Sequence, residues 1–259
     1  MKRTINLLWT GGLDSTCRVA ELSVHDVIVQ PYYIIDKVRG SVKHELQAIS
    51  KITEMVRKKP TTKCDLKDVI IIDIKSIPPM ADIKEASDIL KEKYHIGSQY
   101  EWLARFARQQ GLVMELGLQK SPRGKSYNAI IGESVLIEDN TDGIIQKRVD
   151  KEKSSKEITL VFGDMLFPMP MFDMEKPEEV EEMRQLGLDD LVKETWFCHR
   201  PIFGMPCGYC NPCKDALNED MAYRVPLTGR LLGMMRHITY DPAKTLLWRA
   251  GNIKKSSHQ

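Results

Sequence analysis

No window of this 259-residue chain approaches the roughly 18 uninterrupted apolar residues that a membrane-spanning helix needs. An excess of one charge is missing as well: 38 Lys and Arg stand against 36 Asp and Glu, a formal net charge of +2. So even a balance gives no global field of the kind by which nucleic-acid-binding domains gather a polyanion. Low-complexity tracts and internal repeats are absent, and nothing argues for disorder. Met1-Lys2-Arg3 runs into a short apolar strand rather than a long apolar leader with a cleavage site, so a cytoplasmic setting is the expectation. Hydrophobic residues at 42% and charged residues at 29% are near the averages of soluble globular proteins, enough for a sizeable core.

Cysteine is scarce outside one place. Of six cysteines, Cys198, Cys207, Cys210 and Cys213 fall within 16 residues, while Cys17 and Cys64 lie far away. A disulfide framework would spread pairs along the chain, whereas a tight quartet reads as metal binding.

The first half alternates short apolar strands with amphipathic helices. Ile5–Trp9, Val27–Ile35, Val69–Ile74 and Leu112–Leu116 read as strands; His44–Val56 and Tyr100–Gln110 read as helices, the latter stopped by Gly111. Val69–Ile74 is nearly all Val and Ile, as strands buried on both faces tend to be. This rhythm predicts an α/β fold with a doubly wound parallel sheet. In the middle the pattern breaks. The charged stretch Lys147–Lys156, between β-like Gly143–Gln146 and Glu157–Phe162, reads as an exposed hairpin, with a disordered loop as the rival. Past Pro177, Glu178, Glu179, Glu181 and Glu182 load a helix start with negative charge, the pattern of a solvated cap. A frayed tail is expected over Ile253–Gln259.

At the first strand-to-helix junction stands Thr10-Gly11-Gly12-Leu13-Asp14-Ser15-Thr16. Glycine permits close backbone approach, and free N–H groups at a helix start form an anion site. The hydroxyls of Thr10, Ser15 and Thr16 can add donors toward phosphate oxygens. Asp14 is the oddity, since a carboxylate beside phosphate repels unless offset; it either holds the loop or helps place Mg²⁺. The spacing matches neither Gly-x-Gly-x-x-Gly nor Walker A, because Gln119 stands where Pro122-Arg123-Gly124-Lys125-Ser126 would need its first glycine.

Thr10–Ser15 resembles the Ser-Gly-Gly-x-Asp-Ser signature of the N-type ATP pyrophosphatases (the PP-loop family), with Thr10 keeping the hydroxyl of the usual serine. The resemblance implies a loop that grips the pyrophosphate of ATP in an enzyme that adenylates an oxygen of its substrate.

Cys198-x8-Cys207-x2-Cys210-x2-Cys213 offers four thiolates, the donor set of a closed tetrahedral Zn²⁺ site; the spacing is also compatible with an iron–sulfur cluster. Zinc is favoured, and with no open position it would be structural. His199 reads as a bystander. Combined with the loop, Thr195-Trp196-Phe197-Cys198 and Cys207-Gly208-Tyr209-Cys210-Asn211-Pro212-Cys213 resemble the 7-cyano-7-deazaguanine synthase (QueC) family, as do His44-Glu45 and Lys176. The resemblance covers about residues 5–215. It implies a PP-loop domain over 1–190, a zinc knuckle with packed C-terminal helices over 191–259, and a homodimer. It further implies ATP, structural Zn²⁺ and Mg²⁺ as cofactors, with Asp14, Ser15 and Lys176 as catalytic residues. Thr10, Gly11, Gly12, Leu13, Asp14, Ser15 and Thr16 would contact the nucleotide. The implied reaction adenylates the carboxylate of 7-carboxy-7-deazaguanine; ammonia displaces AMP, and a second adenylation yields the nitrile.

Two segments depart from the family. Gly97–Trp102 lacks its Arg-Asn pair, and Leu118–Lys125 lacks the Asp-Cys element that follows the fourth strand. Either the substrate contacts come from elsewhere or the acceptor has changed. Relatives occur in bacterial defence operons, so a protein amine could replace ammonia as the nucleophile. A PP-loop tRNA-modifying enzyme is a third possibility, for which Arg224, Arg230, Arg236, His237, Lys244 and Arg249 are the candidate surface, although a nucleic-acid partner is not expected.

Overall fold

The basic N-terminal residues lead into β1 (Thr4–Leu8), which hands the chain through Trp9–Gly12 to α1 (Leu13–Ser23). In the computed structural model, which describes residues 2–37, 39–121, 124–218 and 221–235, the strand–helix rhythm continues. It runs through β2 (Ile28–Ile35), α2 (Val42–Lys58), β3 (Asp65–Leu66), β4 (Ile70–Asp73), α3 (Ala81–Tyr94), α4 (Gln99–Gln110) and β5 (Met114–Leu116). Then follow α5 (Lys125–Glu133), β6 (Leu136–Thr141), β7 (Ile144–Val149), α6 (Lys156–Phe162), β8 (Met165–Pro168), α7 (Lys176–Gln185) and α8 (Asn211–Asn218). Residues 227–235 are helical. The basic candidates Arg236, His237, Lys244 and Arg249, and the tail from Ile253, lie outside the described residues.

One sheet carries the order β3-β2-β1-β5-β8-β7-β6, with β4 also on β2. All pairs among β1, β2, β3, β4, β5 and β8 are parallel; β7 runs antiparallel to β8, and β6 to β7. From β1 the chain builds outward through β2 to β4, then returns to the other side of β1 with β5. That reversal makes the fold doubly wound and opens a crevice past the carboxyl ends of β1 and β5. Both faces of β1 are covered. Leu8 joins a core with Ile34, Leu103, Phe106, Leu116, Phe162 and Phe167. Leu7 points to the opposite face and is also fully buried.

The chain divides into two compact units. One runs to Trp196 but omits Arg39–His44; the other joins Arg39–His44 to the chain from Phe197 onward.

Three sequence expectations are corrected. The hairpin lies earlier than Lys147–Lys156: β6 and β7 turn at Asp142 and Gly143, both at positive φ, as a tight right-twisted hairpin demands. Glu157–Phe162 is helical, because the Ser155 side chain accepts the Ile158 N–H as an N-cap and Ile158, Val161 and Phe162 fall on one buried face. The Ile-rich β4, in turn, is not buried on both faces. It pairs only with β2 at the sheet margin and leaves Ile70 40% and Ile71 49% exposed.

Candidate functional site

The loop after β1 is built by backbone demands. Trp9 continues the strand, its N–H donating to the Tyr32 carbonyl at 2.9 Å. Its fully buried indole donates to the Thr16 hydroxyl at 3.1 Å, which pins the loop to the second turn of its helix. Gly11 sits at φ +71°, and a Cβ there would lie 3.0 Å from the Glu45 carbonyl and 3.1 Å from the Ala48 Cβ. Only glycine accepts both conditions. Behind it, Tyr33 donates to the buried Glu45 carboxylate at 2.5 Å, which holds β2 to α2. The Gly11 carbonyl accepts the Trp196 N–H at 2.8 Å.

Gly12 is the N-cap of α1, extended at φ −76° and ψ 169°, with no side-chain cap. The first intrahelical bond goes from Thr16 N–H to Gly12 O, so the N–H groups of Leu13, Asp14 and Ser15 have no acceptor within the helix. A helix start of this kind attracts anions. From the end of β5, Gly117 comes against the same place: a Cβ on it would lie 3.0 Å from Ser15 N and 3.1 Å from Ser15 Cα. The missing side chain lets the two strand ends of the crevice close on the helix start.

The sequence-nominated residues of the loop therefore share one edge. Thr10 is exposed, Gly12 and Asp14 are half-buried, and Leu13 and Ser15 are buried. Thr16 differs from the others, because both its N–H and its hydroxyl are engaged within the loop. Lys176 opens α7, which packs on α1; the Cys17 thiol reaches the Glu179 carbonyl at 3.7 Å. The Lys176 charge acts on the Glu179 carboxyl, which in turn faces Asp14.

Sequence reasoning missed Glu179. Grouped with its acidic neighbours it reads as a solvated cap, yet it is 0% exposed, and the group its carboxyl meets is another carboxyl, that of Asp14. Burial pushes its ionisation well above the usual carboxylate range, the Asp14 charge adds to that, and Lys176 opposes it. The available signal was spacing: Glu179 lies one helical turn before the buried Met183, on the face that α7 turns inward. Capping belongs instead to Glu175 and Glu178, whose Oε2 accepts the Glu175 N–H at 2.7 Å.

Both departing segments flank this edge. Tyr100, from the first, is buried on α4 and hydrogen-bonds with Ser126 of α5 and with Gln99; burial and the Asp14 charge raise its phenol. From the second, Lys120 donates its N–H to Met174, just ahead of α7, and the buried Gln119 Oε1 has no partner.

In the other unit the four cysteine sulfurs lie within 4.8 Å of one another. Cys207 and Cys213 are separated by 3.9 Å and Cys198 and Cys210 by 3.8 Å, against about 3.8 Å for the edge of a tetrahedron with 2.3 Å metal–sulfur bonds. Backbone N–H groups of Cys207 and Cys210 point at the sulfurs of Cys198 and Cys207, at 3.2 and 3.4 Å. Such donors stabilise thiolates. Contact with Cys198 and Cys213 favours the Cys210 thiolate, which holds the Cys213 thiol up and pushes Cys198 up to about 12. Four thiolates together need a cation, and the donor set fits one. Gly208, at φ +73°, has no room for a Cβ against the Gly229 carbonyl, so the knuckle packs backbone to backbone on the helix at 227–235. His199 is exposed.

No family model matches the chain, and no curated protein matches it. Among solved structures it aligns with a crystal structure of a 4-thiouridine synthetase–RNA complex with bound ATP. The TM-score is 0.35 with 13% identity, over 92% of this chain and 54% of the other, so the chain spans about half the length of that structure. No helix among the described residues is long and apolar enough to cross a membrane.

Proposed function

We propose that the protein is an ATP-dependent adenylating enzyme, related in chemistry to 7-cyano-7-deazaguanine synthase. The observation that supports this best is the uncapped start of α1 at the reversal point of the sheet, carrying the Thr10–Ser15 signature. The N–H groups of Leu13, Asp14 and Ser15, with the Thr10 and Ser15 hydroxyls, would bind the polyphosphate. Gly11 and Gly12 keep its path clear, and Thr16 holds the loop through Trp9. Lys176 would offset charge that builds up as pyrophosphate departs. Mg²⁺, when bound, would neutralise the polyphosphate, and Asp14 is a residue to hold it. The four cysteines are read as a structural Zn²⁺ site.

A substrate carboxylate oxygen would attack the α-phosphorus and pyrophosphate would leave. A nitrogen nucleophile would then add at the acyl carbon and expel AMP, losing a proton to give the amide. Carboxylate oxygen leaves poorly and AMP leaves well, so the enzyme's work is positioning and charge neutralisation. The proposed substrate is a deazapurine acid. The changed segments at 97–102 and 118–126 favour a nucleophile other than ammonia, with a protein amine as the candidate. The homodimer and the cytoplasmic setting implied by the resemblance belong to this proposal. The tRNA-modifying alternative is less favoured. Of its basic surface, Arg224 lies over the Phe197 ring at 4.5 Å, and Arg230 donates to the Val225 carbonyl at 2.8 Å.

The test is incubation with ATP, 7-carboxy-7-deazaguanine and ammonia, followed by nucleotide analysis and intact-mass measurement of small products and proteins. AMP and pyrophosphate are expected, and ADP as the main product would refute the reading. Conversion of the free acid to nitrile at synthase-like rates, with no protein adduct, would remove the case for a changed acceptor. Asp14→Asn should lower turnover far more than it lowers stability.

A further inference from the structure

A bidentate ion pair lies buried one helical turn behind the candidate phosphate seat. Arg18 of α1 is 0% exposed and donates from Nε and Nη2 to the Glu115 carboxylate of β5, at 2.7 and 2.5 Å. Glu115 is 1% exposed, and the Gln146 amide of β7 donates to it as well. Arg3, just ahead of β1, donates to Gln146 Oε1 at 2.7 Å, so a chain of directional bonds crosses the sheet and ends on α1. A buried pair is a poor source of stability, because apolar side chains of similar volume often serve as well or better; its best-attested use is to fix a register. The register in question is that of α1 on β5. Arg18 follows Ser15 by one turn, and Glu115 precedes Gly117 by two residues; Gly117, lacking a Cβ, comes against Ser15 N. Two rungs therefore tie helix to strand, 18 on 115 and 15 on 117. The second rung sets only a closest approach. The first has the fork geometry of guanidinium on carboxylate, which resists both a slide along the strand and a rotation of the helix. Apolar packing is non-directional and resists neither well.

We propose that the Arg18–Glu115 pair positions the start of α1 for its anion, in a register that an apolar pair of equal stability would not hold. Arg18 and Glu115 are positioning residues: they touch no substrate and act through the backbone of Gly12–Ser15. Gln146 fixes the carboxylate from β7, and Arg3 fixes Gln146 in turn. The proposal rests on the adenylation reading of this loop and deepens it.

The experiment uses the full-length, cysteine-metal-loaded protein. Inorganic pyrophosphate at fixed Mg²⁺ is the probe, followed by calorimetry, with ATP turnover and urea denaturation measured on the same samples. Arg18→Met with Glu115→Leu and Glu21→Gln strands no charge, so it should keep much of its stability. Its pyrophosphate affinity should nonetheless fall by more than about tenfold, and its kcat by up to about a hundredfold, the scale of a 1 Å misplacement. Arg18→Lys keeps the charge and gives up the fork, and should lose affinity in the same direction. Val56→Ala, a truncation on the buried face of α2, should lower stability and leave affinity at the wild-type value. Should the triple variant fail to fold, Arg18→Lys decides alone. Wild-type affinity in a folded triple variant, or in Arg18→Lys, would overturn the proposal while the adenylation reading stood. Equal loss of affinity in Val56→Ala would overturn it as well, since affinity would then follow stability alone. A wild type that binds neither pyrophosphate nor ATP would sink the adenylation reading and this proposal with it.

Discussion

Replacing Glu115 by Gln should be among the most damaging single-atom changes in this protein. Glu115 is on β5, 1% exposed, and accepts from Arg18 Nε at 2.7 Å and Nη2 at 2.5 Å, and also from the Gln146 amide. Arg18, on α1, is itself 0% exposed; its other partner is Glu21, whose carboxylate meets Nη1 at 2.6 Å. A glutamine has one acceptor oxygen where the carboxylate had two. Its own N–H₂ would then face either the guanidinium or the Gln146 amide, and one buried donor would be left without an acceptor. Breaking one side of a buried pair costs about 3–5 kcal/mol, because the other charge stays behind uncompensated. For a unit of this size that is roughly 6–20 °C in thermal midpoint. By contrast, breaking the exposed i,i+4 pair Lys84–Asp88 should move the midpoint far less. The assay is urea denaturation of metal-loaded protein, with the loss read from the midpoint at unchanged slope. Arg18→Met with Glu115→Leu and Glu21→Gln should recover part of the loss, since no charge is then stranded. A shift below about 1 kcal/mol for Glu115→Gln would refute the reasoning and mean that Glu21 alone compensates Arg18.

Cys210→Ser should abolish stoichiometric metal by elemental analysis and destabilise the unit that holds the four cysteines; iron or no metal in the wild type would contradict the zinc assignment. Gly117→Ala, whose Cβ would crowd Ser15 backbone at 3.0 Å, should weaken ATP binding in calorimetry with little change in unfolding midpoint. Unchanged affinity would show that this close approach does not matter to the ligand. The half-buried Cys64 thiol is pushed up to about 11, first by burial and then by Asp65. Its iodoacetamide modification should therefore be slow at pH 8, where only roughly 0.1% is thiolate, and should rise about tenfold per pH unit toward pH 10. Cys17, buried and raised further by desolvation, should stay unmodified throughout; fast labelling of either at pH 8 would be the contrary result.

Much of the architecture is determined locally and could be read from the chain alone. Strand–helix alternation through Leu116 follows from apolar runs and helical periods, and Gly111 ends α4 in the left-handed conformation that its lack of a Cβ permits. The loop at Thr10–Ser15 and the cysteine quartet were legible for the same reason: their chemistry is written in short spacing, within one turn or one knuckle. Tertiary structure decided what depends on partners far away in sequence. Glu157–Phe162 has the composition of a strand, yet its Ser155 cap and the core against Phe162 make it a helix. The isoleucines of β4 promised a central strand, but the winding order put them at the margin. Glu179 is the sharpest case. Its neighbours in sequence are acidic and solvated, and only its helical spacing from Met183 sets it apart locally. Only the packing of α7 on α1, across more than half the chain, takes that one carboxylate out of water and sets it against Asp14. Desolvation is a property of where a side chain ends up, so spacing could put Glu179 on the inward face but not say that this face would be dry.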